Sequence, residues 1–178
     1  MMLFSCKNTG EEQLHTAVKK DTLAVADNSC EKYYAQAKAS DAVLMRATVL
    51  DKMVAAKAVA DFNAYASNCK TDSLAPVFYF KAGQVAQAIG NFTQSQAMLN
   101  KCINEYPKFK NRGAALFLLA QLYDDPRMMN NEEEAKKLYE QVIKEYPSTP
   151  YANDSKAAIQ NLGKTDEQLV QEFLKKNK

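Results

Sequence analysis

The chain has no tryptophan and a single histidine among its 178 residues. It holds five glycines, five prolines and four cysteines. The one histidine, His15, sits in a polar segment and finds no serine and acid with which to build a nucleophilic triad. No glycine-rich stretch has the spacing that cradles phosphate. No apolar run approaches the roughly 20 residues that a membrane-spanning helix needs. Cys6, Cys30, Cys69 and Cys102 include no CxxC pair, so a structural zinc site is not expected. Nor is there an excess of one charge. Lys and Arg number 23, Asp and Glu 21, and the net charge is +2. The two signs are interspersed and no basic run stands out except the short tail Lys175-Lys176, so nucleic acid is not an expected partner. The run Glu132-Glu133-Glu134 reads as acids in a first helical turn, where the helix dipole favours them. A calcium loop would place its oxygens at alternating positions instead. No cofactor, metal or catalytic residue is expected.

What is present is helical. Apolar residues make up 47% and charged residues 25%, the balance of a globular domain, and the length suits one domain with a real core. Ala, Lys, Gln and Leu abound, and these are helix formers. From Cys30 to Asn68 there is neither Gly nor Pro. Beyond the turn Lys70-Thr71-Asp72-Ser73, Pro76 stands at a favourable first helical position. Between the remaining breakers apolar residues recur at three and four, the helical period. The predicted fold class is all-α.

Two segments resemble each other: APVFYFKAGQVAQAIGNFTQSQAMLNKCINEYP, ending at Pro107, and AALFLLAQLYDDPRMMNNEEEAKKLYEQVIKEYP, ending at Pro147. In the first, Tyr79, Ala82, Gly83 and Ala86 stand at helical spacing before Gly90. Phe92, Ser95, Leu99 and Cys102 follow before Pro107. Small residues let two helices approach closely, Gly90 ends the first helix, and Pro107 stops the second. In the second segment Leu116, Leu119, Ala120 and Tyr123 take the first-helix positions. Ala135, Tyr139, Val142 and Pro147 take the second. This pattern resembles the tetratricopeptide repeat, a pair of antiparallel helices. The long joint Asp124 to Asn131 resembles the longer repeats of periplasmic assembly and TolA-binding lipoproteins.

Upstream, Ala58, Phe62 and Tyr65 repeat the second-helix spacing, with a first helix expected near Asp41 to Leu50. No turn residue separates the two, so a degenerate repeat and one long helix both remain open, with helix continuing through Phe62. At the other end, Gly163 closes a helix over Ala152 to Leu162. Thr165 and Gln168 form a capping box ahead of a last amphipathic helix carrying Leu169, Val170, Phe173 and Leu174. This segment resembles the closing part of Bacteroidetes-type tetratricopeptide lipoproteins. The expected architecture is antiparallel helix pairs stacked as a short right-handed superhelix with a C-terminal capping helix. Repeats are expected near 41–74 (degenerate), 76–109 and 113–149, with the cap at 150–178.

Cys102 falls at a small core position and reads as a buried free thiol. Cys69 ends the preceding helix. A bridge between these two is weighed and set aside, and Cys30 is expected at the surface. Leu3-Phe4-Ser5-Cys6 resembles a bacterial lipobox, in which Cys6 would receive lipid. Only Met1 to Phe4 precede Ser5, fewer than the apolar run of a full signal. The stub is read as the tail of a signal peptide, against an ordinary N-terminus with a stray cysteine. Residues 1–6 would then be a signal remnant, 7–28 a flexible tether and 29–178 the helical domain.

The resemblance implies a non-enzymatic scaffold that binds a protein or peptide in a concave groove. It would be lipid-anchored in the cell envelope, facing the periplasm, and touch the membrane only through that lipid. A soluble cytoplasmic adaptor is the alternative. The register places Val77, Phe80, Gln84 and Gln87, then Ala114, Phe117, Gln121 and Asp124, on the groove face. Two aromatics and three amides suit a peptide, although Phe80 and Phe117 read equally well as packing between repeats. Chaperone-binding domains of this family grip a C-terminal carboxylate with cations at the positions held here by Phe80, Gln84, Phe117 and Gln121. Those cations are missing.

Overall fold

The computed structural model describes residues 28–176. His15, the lipobox around Cys6 and all of the expected tether but Asn28 lie outside the described residues. Among the described residues the chain forms eight helices and no strand: α1 (Asn28–Arg46), α2 (Lys52–Asn68), α3 (Ala75–Ala88), α4 (Phe92–Glu105), α5 (Arg112–Asp124), α6 (Glu132–Glu145), α7 (Pro150–Asn161) and α8 (Asp166–Lys176). Each helix from α1 to α6 packs on the next, giving the pairs α1–α2, α3–α4 and α5–α6 with α7 against the last. The all-α, stacked-pair architecture expected from the sequence is the one found.

The joint left open upstream is now placed. The chain leaves the helix after Arg46 and re-enters at Lys52, with Asp51 as N-cap. The Asp51 carboxylate accepts from the backbone N–H groups of Met53 and Val54, both at 2.9 Å. A short side chain offering the new helix its missing acceptor does the work of a glycine or proline. Asn91 and Asn131 act likewise, accepting from the N–H groups of Gln94 at 3.3 Å and Glu134 at 3.1 Å. The three caps at 51, 91 and 131 lie 40 residues apart. They correct the upstream register: Ala55, Val59 and Phe62, all buried, are the counterparts of Ser95, Leu99 and Cys102 and of Ala135, Tyr139 and Val142. The first helix of that unit is also longer than expected, beginning at Asn28 and ending at Arg46 rather than spanning Asp41 to Leu50.

A close approach joins α3 and α4. A Cβ placed on Gly83 would lie 2.7 Å from Cγ of Leu99 and 2.8 Å from its Cδ2. Leu99 is wholly buried. Gly90 ends α3 with φ of 79°, a left-handed conformation that costs other residues about 1–2 kcal/mol. The N–H of Asn91 then reaches the carbonyl of Ala86 at 2.8 Å, and that of Gly90 reaches Gln87 at 3.0 Å, closing the last turn. The core runs through the stack. Phe62, Tyr65 and Phe78 join α2 to α3, with ring centroids 5.3 Å apart for Phe62–Phe78 and 4.9 Å for Tyr65–Phe78. Leu99, Cys102, Leu116 and Leu119 continue it, and Ala120, Ala135 and Tyr139 finish it beneath α7.

Polar clamps fasten the pairs. Arg112 Nε donates to the carbonyl of Ile103 at 3.0 Å, and its guanidinium pairs with Glu145 and donates to the Tyr146 hydroxyl at 3.2 Å. The Tyr106 hydroxyl donates to the Lys70 carbonyl at 3.1 Å.

Cys69 is bonded to Cys30, not Cys102, with Cα atoms 5.7 Å apart. The disulfide ties the start of α1 to the end of α2 and closes a loop spanning 39 positions. Cys30, expected at the surface, is instead partly buried at this junction. Cys102 is the free, buried thiol expected. It donates to the Pro76 carbonyl at 3.5 Å, and burial pushes its pKa up to about 12, so it is inert as a nucleophile.

Two stability predictions follow from these contacts. Gly83→Ala should destabilise the chain by about 1–3 kcal/mol in urea unfolding, and an unchanged midpoint would contradict the α3–α4 contact. Cys30→Ser should cost about 4 kcal/mol relative to the oxidised chain and nothing relative to the reduced chain. Equal losses in both states would contradict the bridge.

Candidate functional site

First helices approach one another across the repeats: α3 meets α5, and α5 meets α7. Lys81 on α3 reaches Asp41 on α1 at 2.6 Å. These closer approaches set α1, α3, α5 and α7 on the inner side of the curved stack, the side such repeats use for binding.

On that side, between α5 and α7, lies an open cleft of about 860 Å³. Phe117, Gln121 and Asp124 line it from α5, one helical turn after another. All three were placed on the groove face by the sequence register. Tyr139 contributes from α6, and Asp154, Ala158 and Asn161 from α7. Phe117 is half-buried, its ring 5.8 Å from Tyr139 and 5.6 Å from Tyr151. It therefore packs between α5, α6 and α7 and lines the cleft.

Asp124 is the distinctive group. It is half-buried and accepts from the Tyr139 hydroxyl at 3.1 Å. Burial lifts its pKa above the usual carboxylate range, the hydroxyl opposes the rise, and the nearby Glu132 and Asp125 carboxylates add to it. Tyr139 is in turn pushed upward, by burial first and then by Asp124. Asp125 behaves in the opposite way, held down chiefly by Arg127, whose guanidinium lies 2.6 Å from it.

Of the other five predicted groove residues, none lines this cleft. Phe80 is half-buried against Phe109, with centroids 6.3 Å apart, and so packs at the junction between repeats. Gln84 is exposed. Gln87 donates to the Met128 sulfur at 3.6 Å, so the α5–α6 joint folds back over the end of α3. The repeat-signature residues Ala82, Gly83, Ala120, Ala135 and Tyr139 are buried, while Tyr123 is half-buried and Pro107 and Pro147 are exposed at helix ends. Asp154 and Tyr151 were missed because α7 was read only as part of the cap. The signal was there: Ala152 and Ser155 face the core, which turns Tyr151, Asp154 and Ala158 toward one adjacent face at helical spacing.

Among the described residues no group of three His, Cys, Asp or Glu side chains is placed to hold a metal ion. No helix among them is long and apolar enough to cross a membrane.

Because Asp124 binds its proton more tightly folded than unfolded, it lowers stability at neutral pH. That loss is recovered as pH falls through its raised folded pKa. Tyr139→Phe removes the opposing hydroxyl. The Asp124 carboxyl should then titrate at higher pH still by NMR, and a downward move would contradict the assigned hydrogen bond.

Comparison with known proteins agrees with the packing. Residues 78–108 and 114–149 match the family model for the tetratricopeptide repeat. Searches of curated proteins and of solved structures gave no significant match. By sequence match and by helix packing alike, the pairs α3–α4 and α5–α6 are similar to tetratricopeptide repeats.

Proposed function

We propose that this chain is a non-enzymatic scaffold that receives a peptide or partner-protein segment on its inner face and is held at the cell envelope by lipid on Cys6. The carrying observation for binding is the cleft between α5 and α7. It offers an aromatic wall, amide groups and carboxylates, the mixture that anchors and orients a peptide. Its lining contains no Ser, Cys or His side chain, so it supplies no Ser–His or Cys–His pair. Tetratricopeptide repeats serve typically as interaction modules, which favours the same reading.

Two observations support the envelope. The lipobox-like Leu3-Phe4-Ser5-Cys6 precedes a polar stretch. The Cys30–Cys69 disulfide suits an oxidising compartment such as the bacterial periplasm, whereas cytosolic thiols are held reduced. A cytoplasmic adaptor would use the same cleft but would have to keep this bridge in a reducing compartment. The deciding test is the mass of the N-terminal peptide from protein purified out of its native host. A diacyl- or triacylglyceryl group on Cys6 is the expected result. An unmodified peptide beginning at Met1 or Met2 would end the anchored reading and leave the cytoplasmic one.

A further inference from the structure

We infer that the wall between α5 and α7 selects a basic partner segment, an extended stretch that sets a lysine or arginine beside an apolar side chain. The inference rests on the groove reading above and specifies the chemistry of what enters.

The charges of the cleft point this way. Its two cations are already engaged. Arg127 grips Asp125 through Nε at 3.0 Å and a terminal nitrogen at 2.6 Å, and Lys164 pairs with Glu172 at 2.7 Å. Asp124 and Asp154 pair with no cation among the described residues, and Asp124 has only the neutral Tyr139 hydroxyl for support. This end of the groove is therefore negative although the chain as a whole is +2. Asp124 is also partly withdrawn from water, where a charge without a partner is costly and an arriving cation is correspondingly favoured. The aromatic wall completes the match. Half-buried Phe117 lines the cleft, and Tyr151, 38% exposed, stacks beside it at the margin with centroids 5.6 Å apart, so ring surface is open there to an apolar side chain and to the stem of a lysine or arginine. An acidic segment would set like charges against both carboxylates.

The test uses the full chain and three fluorescently labelled peptides of equal length. They share one Phe and Leu pattern and differ only in carrying Lys, Gln or Glu between those residues. Fluorescence anisotropy should show the Lys peptide binding at least about tenfold more tightly than the others. Asp124→Asn, which keeps an acceptor for Tyr139, combined with Asp154→Asn should erase that preference and leave the Gln peptide unchanged. Asp154 is exposed, so Asp154→Asn alone should fold normally and still weaken the Lys peptide. Tighter binding of the Gln or Glu peptide, lost in Phe117→Ala, would overturn the basic preference while sparing the groove. Lys-peptide binding indifferent to both Asp substitutions, or no Lys-peptide binding, would overturn the inference. Binding of all three peptides that ignores Phe117→Ala as well would overturn the groove reading with it.

Discussion

Leu99 lies directly on the bare backbone of Gly83, and this contact sets the spacing of the α3–α4 pair. No single pair of helices of this size can bury its apolar face alone, so close approach within a pair has to be followed by stacking between pairs. The same economy of volume appears along the stack, where Ala82, Ala120 and Ala135 are fully buried beside the larger Tyr79, Leu116 and Tyr139. Small side chains admit the neighbouring helix and large ones fill what remains. The cleft depends on this arrangement, since α5 and α7 stand at its two sides only because α6 is packed between them.

Legibility from sequence followed the physics of each element. Gly90 marks its boundary by a left-handed φ, and Pro107 and Pro147 mark theirs by lacking an N–H and restricting the residue before them, so α3 to α6 could be read in register. The α1–α2 joint hid because it contains neither glycine nor proline. It is made by a carboxylate accepting two backbone N–H groups, and an aspartate in sequence looks the same whether it caps or not. The spacing of Asp51, Asn91 and Asn131 was the missed clue. The Cys30–Cys69 bridge was illegible for a related reason. It depends on the start of α1 lying beside the end of α2, which follows only once the chain is known to reverse at residues 47–51. Within the cleft, the α5 face was readable from its register. Asp154 was not, because its role comes from the placement of α7 across the gap.

The two ends of the molecule are fastened differently. The disulfide and the rings of Phe62, Tyr65 and Phe78 bind α1, α2 and α3 together. At the far end α8 packs only lightly on its neighbours among the described residues, and Val170 and Leu174 remain about half exposed. The cleft lies nearer this lighter end, with Leu169 of α8 at its edge. A binding surface beside a lightly held helix can adjust to what enters without disturbing the packed centre.

The measurement that tests this account most directly is native-state hydrogen exchange, residue by residue. If the seam at Gly83 and Leu99 organises the stack, the amides of Leu99, Cys102, Leu116 and Leu119 should exchange most slowly and open only with global unfolding. Those of α8 should exchange fastest. Exchange in α8 as slow as in α4, or early opening of α4 while α5 and α6 stay protected, would contradict it.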